Sequence, residues 1–234
     1  MANLKIEGNA TDGCIANFRV TYDSEDGEII VRDMFVSDVC KLLDGHSHDT
    51  SKGFDLELPY ELLADGIERY RVHVNTDGEV EYFTFVKILP PEKTGFLLYS
   101  RIPVVIPQPR RLILYSSNGE IRIFALKGSG KLKANTPLYW YPLGHVQRNG
   151  DVCKGNCVMR AKNLKEASGR INDFFIAGTE GHYYHPGETI KEAMSFGDMM
   201  NRLQETDKFP EEWLIPASDW YHGEKGSLTF YDVW

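Results

Sequence analysis

The sequence predicts an α+β fold: an antiparallel β-meander with helices packed on one face, preceded by further β-rich chain. Three observations carry this reading. The first half is a series of β-branched and aromatic runs of strand length. Asx-Gly pairs interrupt those runs where short hairpin turns belong. After Cys157 the apolar residues change from alternation to helical spacing.

The elements follow in chain order. Cys14 to Tyr22 and Glu28 to Arg32 form a hairpin about Asp26-Gly27. Ser37 to Gly45 reads as a short helix with a serine cap and a glycine stop. The polar stretch His46 to Lys52 is a loop, and Pro59 to Ile67 a second short helix with Leu62, Leu63 and Ile67 at helical spacing. Tyr70 to Val74 and Val80 to Ile88 make the next hairpin, around Asp77-Gly78. Leu89-Pro90-Pro91 breaks the chain and is its best internal boundary. It separates a β-rich region, 1–92, from a unit spanning 93–234, either as two parts or within one domain. Phe96 to Tyr99 is a short strand. Arg111 to Ser116 and Glu120 to Leu126 flank Asn118-Gly119, the strongest hairpin signal in the chain. Thr136 to Pro142 leads into a cysteine loop.

Beyond that loop, Asn163 to Ile176 is a helix. Asn163 caps it, and Leu164, Ala167, Ile171, Phe174 and Phe175 line one side. Thr189 to Gln204 is another, opened by the capping box Thr189-Ile190-Lys191-Glu192. The last thirty residues are aromatic and proline-punctuated, without a clear period.

Composition narrows the function. The 234 residues carry a formal net charge of -8, with pI ≈ 5.4. A phosphate-backbone binder usually has a basic surplus, so nucleic acid is not the expected partner. Pro103 to Arg111 is locally cationic, with Arg110 and Arg111 read as the solvated beginning of a strand. No apolar run has the roughly 20 residues needed to cross a bilayer. The first residues lack a signal peptide's apolar core. With 4 cysteines, this points to free thiols in a reducing cytoplasm.

The chemistry concentrates between His145 and Cys157. Arg148-Asn149-Gly150 is a turn, and turn chemistry holds Cys153 on a surface loop. A loop thiol with a polar donor nearby is what acyl transfer through a thioester requires. Two other readings compete. Cys153 and Cys157 with His182 and His185 form a C-x3-C and H-x2-H set for zinc, although the cysteine spacing departs from the usual knuckles. Cys153 with His145, His182 or His185 is a nucleophile–base pair. Nothing in the spacing ties Asp151, Asn149 or Asp173 into a triad with it. Cys14 and Cys40 fit as buried structural thiols, and His46 and His48 as solvated side chains. Gly128-Ser129-Gly130-Lys131 lacks the frame of a phosphate-binding loop.

The cysteine loop resembles the active-site segment of ubiquitin-conjugating (E2) enzymes, where His-Pro-Asn precedes a turn, a glycine and Ile-Cys. Gly144-His145 falls at Pro-Asn, Gly150 at the glycine, and Val152-Cys153 at Ile-Cys. The match is more detailed with prokaryotic E2-like family D, the PRTRC system protein B group. Thr136-Pro137-Leu138-Tyr139, Pro142, His145-Val146, Gly150-Asp151-Val152-Cys153-Lys154-Gly155, Phe174-Phe175 and His182 carry it. It is detailed from about Pro103 to His185 and loose before that.

The resemblance implies a UBC-like core and an E2-like conjugating activity. Cys153 would accept a ubiquitin-like protein from an E1-like (ThiF-type) enzyme as a thioester, then release it to an amine. His145 would stand where the oxyanion-stabilising asparagine is; Asp151 would either orient or desolvate the amine or be a plain turn residue, and His182 would either stand behind the reacting groups or be a structural histidine tying the loop after Phe175 to the active-site loop. A JAB-type peptidase encoded alongside is the further implied partner, and no cofactor is implied. Two departures from the family pattern are His145 for asparagine and Lys154 for the usual leucine after the cysteine. An ammonium at Lys154 would favour thiolate. The rival readings are a non-catalytic scaffold of the E2 fold and a zinc-binding interaction module.

Overall fold

The computed structural model describes residues 4–11, 14–23, 29–34, 54–57, 66–75, 80–98, 102–143, 145–147, 149–176, 183–218 and 227–234. It is mixed α+β, with antiparallel sheets and few helices. Strands β1 (Leu4–Thr11), β2 (Cys14–Asp23) and β3 (Ile29–Met34) form a three-stranded sheet. The central sheet has six strands: β4 (Phe54–Glu57), β5 (Ile67–Val74), β6 (Val80–Leu89), β9 (Arg110–Ser116), β10 (Ile121–Leu126) and β11 (Tyr139–Trp140). Their spatial order is β11-β10-β9-β6-β5-β4. A separate ribbon pairs β7 (Glu92–Leu98) with β8 (Ile102–Gln108).

Alternation along each central strand sends side chains to two cores. On one face Phe83, Phe85, Ile113, Tyr115, Ile121 and Ile123 pack in a single cluster with the ribbon's Val104 and Ile106. Helix α1 (Leu164–Ile176) adds Ala167 and Ile171 there. Helix α2 (Phe196–Gln204) adds Phe196, Met199, Met200 and Leu203. The opposite face carries Val86, Leu112, Phe124 and Leu126 against Leu138, Trp140, Ala217 and Phe230. Phe230 begins the one-turn helix α3 (Phe230–Val233), which closes this second core. The two longer helices thus share one face of the sheet, as the sequence predicts.

The Asn118-Gly119 hairpin is present, with Ser116 N–H donating to Glu120 C=O at 2.9 Å. Asn163 caps α1, its Oδ1 accepting from Glu166 N–H at 2.9 Å. The described part of the 70–88 hairpin also forms as expected, with β5 antiparallel to β6.

Other expectations change. Ile67 opens β5 instead of closing a helix, because Gly66 turns the chain there with φ 79°. The second long helix begins at Phe196, not Thr189. Ser195 caps it, accepting from Asp198 N–H at 3.1 Å, while Thr189 Oγ1 accepts from His185 N–H in a preceding turn. Ile190 is drawn aside to bridge Leu214. The isolated strand at Phe96 is one arm of the β7–β8 ribbon, whose partner contains Pro103 and Pro107. Arg111 is not solvated: it is 1% exposed and pairs with Glu92 at 2.5 Å. Its register with Ile113 and Tyr115 points it to the face that packs against the ribbon and the two longer helices, where Glu92 supplies the countercharge. The expected helix at 37–45 and the residues Cys40, His46 and His48 lie outside the described residues.

The six-stranded sheet runs continuously across residue 92, since β6 pairs with β9 from Thr84↔Ser116 to Leu89↔Arg111.

Candidate functional site

The cysteine loop continues the antiparallel ladder of β10 past the end of β11. Ile123 N–H donates to Gly150 C=O at 2.9 Å, and Val152 N–H to Ile121 C=O at 3.0 Å. Arg122 lies opposite Asp151. Val152 is buried in the core shared with Ile121 and Ile123. Within the loop, Gln147 N–H donates to Asp151 C=O at 2.8 Å and Gly150 N–H to Gln147 C=O at 2.9 Å. Cys153 N–H then donates to His145 C=O at 2.7 Å. The arm 145–153 is therefore a hairpin of its own, fixed to the sheet by main-chain bonds.

Gly150 is required at its position. Its φ is 84°, and a Cβ there would lie 2.5 Å from the Phe124 ring. Phe124 is fully buried and stacks on Trp140, so it cannot retreat. The Arg122 guanidinium crosses the Phe124 ring at 5.4 Å. It donates to the Asn149 carbonyl from Nη2 at 2.7 Å and from Nε at 3.2 Å.

Cys153 is a half-exposed free thiol and Cys157 an exposed one. His145 is half-buried, with φ 68°. Few residues accept this left-handed backbone, and asparagine and histidine are among the most tolerant. The loop geometry therefore accommodates either residue at this position. Asp151 is occupied locally. Its N–H donates to Asn149 Oδ1 at 3.0 Å, its carboxylate accepts from the Asn149 amide, and Arg122 Nε lies 3.5 Å from Oδ1. This is an Asx turn with a basic clamp.

Lys154 Nζ donates to the Gly119 carbonyl at 2.7 Å, bracing the loop against the β9–β10 turn. The chain then turns, with Cys157 N–H on Lys154 C=O at 3.0 Å. It is next held at Val158, whose carbonyl accepts from Arg170 Nη1 at 3.0 Å, and at Met159, whose carbonyl accepts from the Tyr115 hydroxyl at 2.5 Å. Burial raises the Tyr115 hydroxyl pKa to about 12; nearby Arg170 opposes the shift and Glu166 adds to it.

The structure thus joins Cys153, His145 and Asp151 in one hairpin. His182 lies outside the described residues. His185 is exposed and closes a separate turn, its carbonyl accepting from Thr189 N–H at 2.9 Å. Among the described residues no group of three or more His, Cys, Asp or Glu side chains is gathered to hold a metal ion. Reading the sequence alone missed Arg122 and Phe124. The only signal for them is the register of the Asn-Gly hairpin, which sets them opposite the loop.

Residues 88–217, more than half of the chain, match the family model described as prokaryotic E2 family D. The chain belongs to prokaryotic E2 family D. The matched span contains β7 to β11, the cysteine loop, α1 and α2. No curated protein and no solved structure gives a match. Among the described residues, no helix of this family D protein is long and apolar enough to cross a membrane.

Proposed function

We propose that this protein is an E2-like carrier: Cys153 accepts a ubiquitin-like protein from an E1-like enzyme and passes it to an amine. The observation that carries this reading is the thiol's position. Cys153 is half-exposed at the end of a loop whose backbone is fixed to β10 and to His145, within an E2 family.

The Cys153 thiolate attacks the carbonyl carbon of the E1-bound thioester. The E1 thiolate leaves as the new carbon–sulfur bond forms. An amine then attacks the Cys153 thioester, the Cys153 thiolate leaves, and the amine's proton passes to solvent as the amide forms. Each addition places negative charge on the carbonyl oxygen. The His145 imidazole serves as the donor to that oxyanion, since it has an N–H in both protonation states. Asp151 acts through the loop: with Asn149 and Arg122 it sets the turn preceding the cysteine. His182 is retained as a candidate support for the loop, and a JAB-type peptidase as a candidate partner that reverses the product.

The test for His145 separates the two steps. His145→Asn should support thioester formation and discharge to free lysine. His145→Ala should slow discharge by roughly 100–1000-fold, the range for loss of one oxyanion donor. Equal rates for all three proteins would remove His145 from the chemistry. A scaffold without transfer would form no thioester at all.

A further inference from the structure

The ladder between β10 and the cysteine loop has a fixed register. Arg122 lies opposite Asp151, Ile123 N–H bonds Gly150 C=O, and Val152 N–H bonds Ile121 C=O. One residue further along each strand, Glu120 comes opposite Cys153. Both backbones are pinned on their far sides: Glu120 C=O accepts from Ser116 N–H at 2.9 Å, and Cys153 N–H donates to His145 C=O at 2.7 Å. Glu120 and Cys153 therefore form a non-hydrogen-bonded pair, the kind whose side chains stand closer together. The register is held beyond this pair as well. Lys154 comes opposite Gly119, and its Nζ donates to the Gly119 carbonyl at 2.7 Å.

Arg122 and Asp151 project from one face of this ladder, with Arg122 Nε 3.5 Å from Asp151 Oδ1. Alternation puts Glu120 and Cys153 on that same face. Burial agrees: Ile121 and Val152 are buried, whereas Glu120 is exposed and Cys153 half-exposed. Directly opposite side chains have Cβ atoms about 4.5–5.5 Å apart. An amine entering at a Cys153 thioester therefore comes within reach of the Glu120 carboxylate. Glu120 N–H is taken by Asn118 Oδ1 at 3.0 Å, but its carboxylate has no hydrogen bond or ion pair among the described residues. Asp151, the acid beside it on this face, is held by Asn149 and Arg122. Of the two, Glu120 has the carboxylate that is open to a substrate.

We propose that Glu120 is a catalytic residue of the transfer step and takes the proton that the attacking amine loses. The inference rests on the carrier reading above. The neutral amine forms its bond to the thioester carbonyl carbon, and its N–H becomes more acidic as the nitrogen gives up its lone pair. Glu120 accepts that proton. The carbon–sulfur bond breaks, the Cys153 thiolate leaves, and Glu120 releases the proton to solvent. Glu120 has no such task in loading from the E1 thioester, where no amine is present.

The experiment separates loading from discharge in the full chain. Wild type, Glu120→Gln and Glu120→Asp are charged by the E1-like enzyme with the ubiquitin-like protein and ATP. ATP is then removed, free lysine is added over a range of concentrations, and loss of the thioester is followed. Glu120→Gln keeps the shape of an exposed side chain and the main-chain bond to Asn118, so the fold is not at risk. It should load at the wild-type rate. Its limiting rate of discharge should fall about 100-fold, as for loss of a general base, with the lysine concentration at half-maximal rate little changed. Glu120→Asp should discharge faster than Glu120→Gln. The proposal is overturned if Glu120→Gln reaches the wild-type limiting rate, or if its loading falls in the same proportion as its discharge, which a merely structural role would give. A wild type that forms no thioester beside a charged E1 would end the carrier reading and this proposal with it. A wild type that loads while Glu120→Gln discharges equally well would end the proposal alone.

Discussion

The cysteine loop has two arms that differ in how they are held. From His145 to Cys153 most of the described backbone bonds either to β10 or across the hairpin. From Lys154 to Met159 the chain is secured near its ends, by Lys154 on Gly119 and by Arg170 and Tyr115 on the carbonyls of Val158 and Met159, with the side chains of Gly155 to Val158 exposed between. Each arm carries one free thiol. The fixed arm can hold a reacting sulfur in one place, as a positioned nucleophile needs. The loose arm offers an exposed thiol held by its own turn and by the Arg170 bond to the next carbonyl, with no bond to the sheet of its own. The contrast separates Cys153 from Cys157 on physical grounds.

Two glycines give the sharpest break of that comparison, because both have positive φ. Gly150→Ala drives a methyl group into the Phe124 ring, whereas a Cβ at Gly155 would meet nothing within 4 Å. In denaturant unfolding, Gly150→Ala should cost about 3 kcal/mol or more from overpacking plus backbone strain. Gly155→Ala should cost about 1 kcal/mol from backbone strain alone. Equal costs would mean that the two arms are held alike.

The next effect is at Arg122. Arg122→Ala removes both donors to the Asn149 carbonyl and the partner of Asp151. A loss of about 2 kcal/mol is expected from these charge-assisted bonds. Iodoacetamide labelling should change for Cys153 and stay constant for Cys157. Labelling that changes at both sites would show that Arg122 supports the whole loop and not one arm.

The downstream arm depends on Tyr115, which gives a pH test. The Tyr115 pKa is raised to about 12 in the fold, so the neutral hydroxyl is favoured there. A raised folded value gives stability that is complete below the unfolded value, near 10, and lost as pH rises toward 12. Tyr141, buried and donating to Gln108 at 2.6 Å, is also raised to about 12 and acts in the same direction. Thermal stability should therefore fall between pH 10 and 12. Tyr115→Phe should cost about 1–2 kcal/mol at neutral pH by leaving the Met159 carbonyl unpaired. It should also flatten the alkaline loss. The smallest effect belongs to Cys157→Ser, which should leave stability within about 0.5 kcal/mol, as at other surface sites.

Much of this was legible in the sequence, and the reasons are local. Asn118-Gly119 sets a hairpin through its own turn chemistry, and Asn163 caps α1 through a bond three residues away. The residues that place Cys153 opposite β10 were legible as a turn but not as a sheet extension. That depends on Arg122 and Phe124, thirty residues upstream, and on register, which no local pattern encodes. The helix expected from Thr189 failed because Ser195-Phe196-Gly197-Asp198 caps better and Ile190 is claimed by Leu214. Arg111 was misread because its countercharge, Glu92, comes from another element. His182 and the segment at 37–52 are not among the residues whose structure is described.

The most direct test of the central claim is to incubate the protein with its E1-like enzyme, the ubiquitin-like protein and ATP, then resolve the products with and without dithiothreitol. The expected result is a covalent adduct of wild type and of Cys157→Ser that dithiothreitol releases, and none with Cys153→Ala. An adduct that persists in Cys153→Ala, or its absence from the wild type beside an E1 shown to be charged, would contradict the assignment of Cys153 as the thioester cysteine.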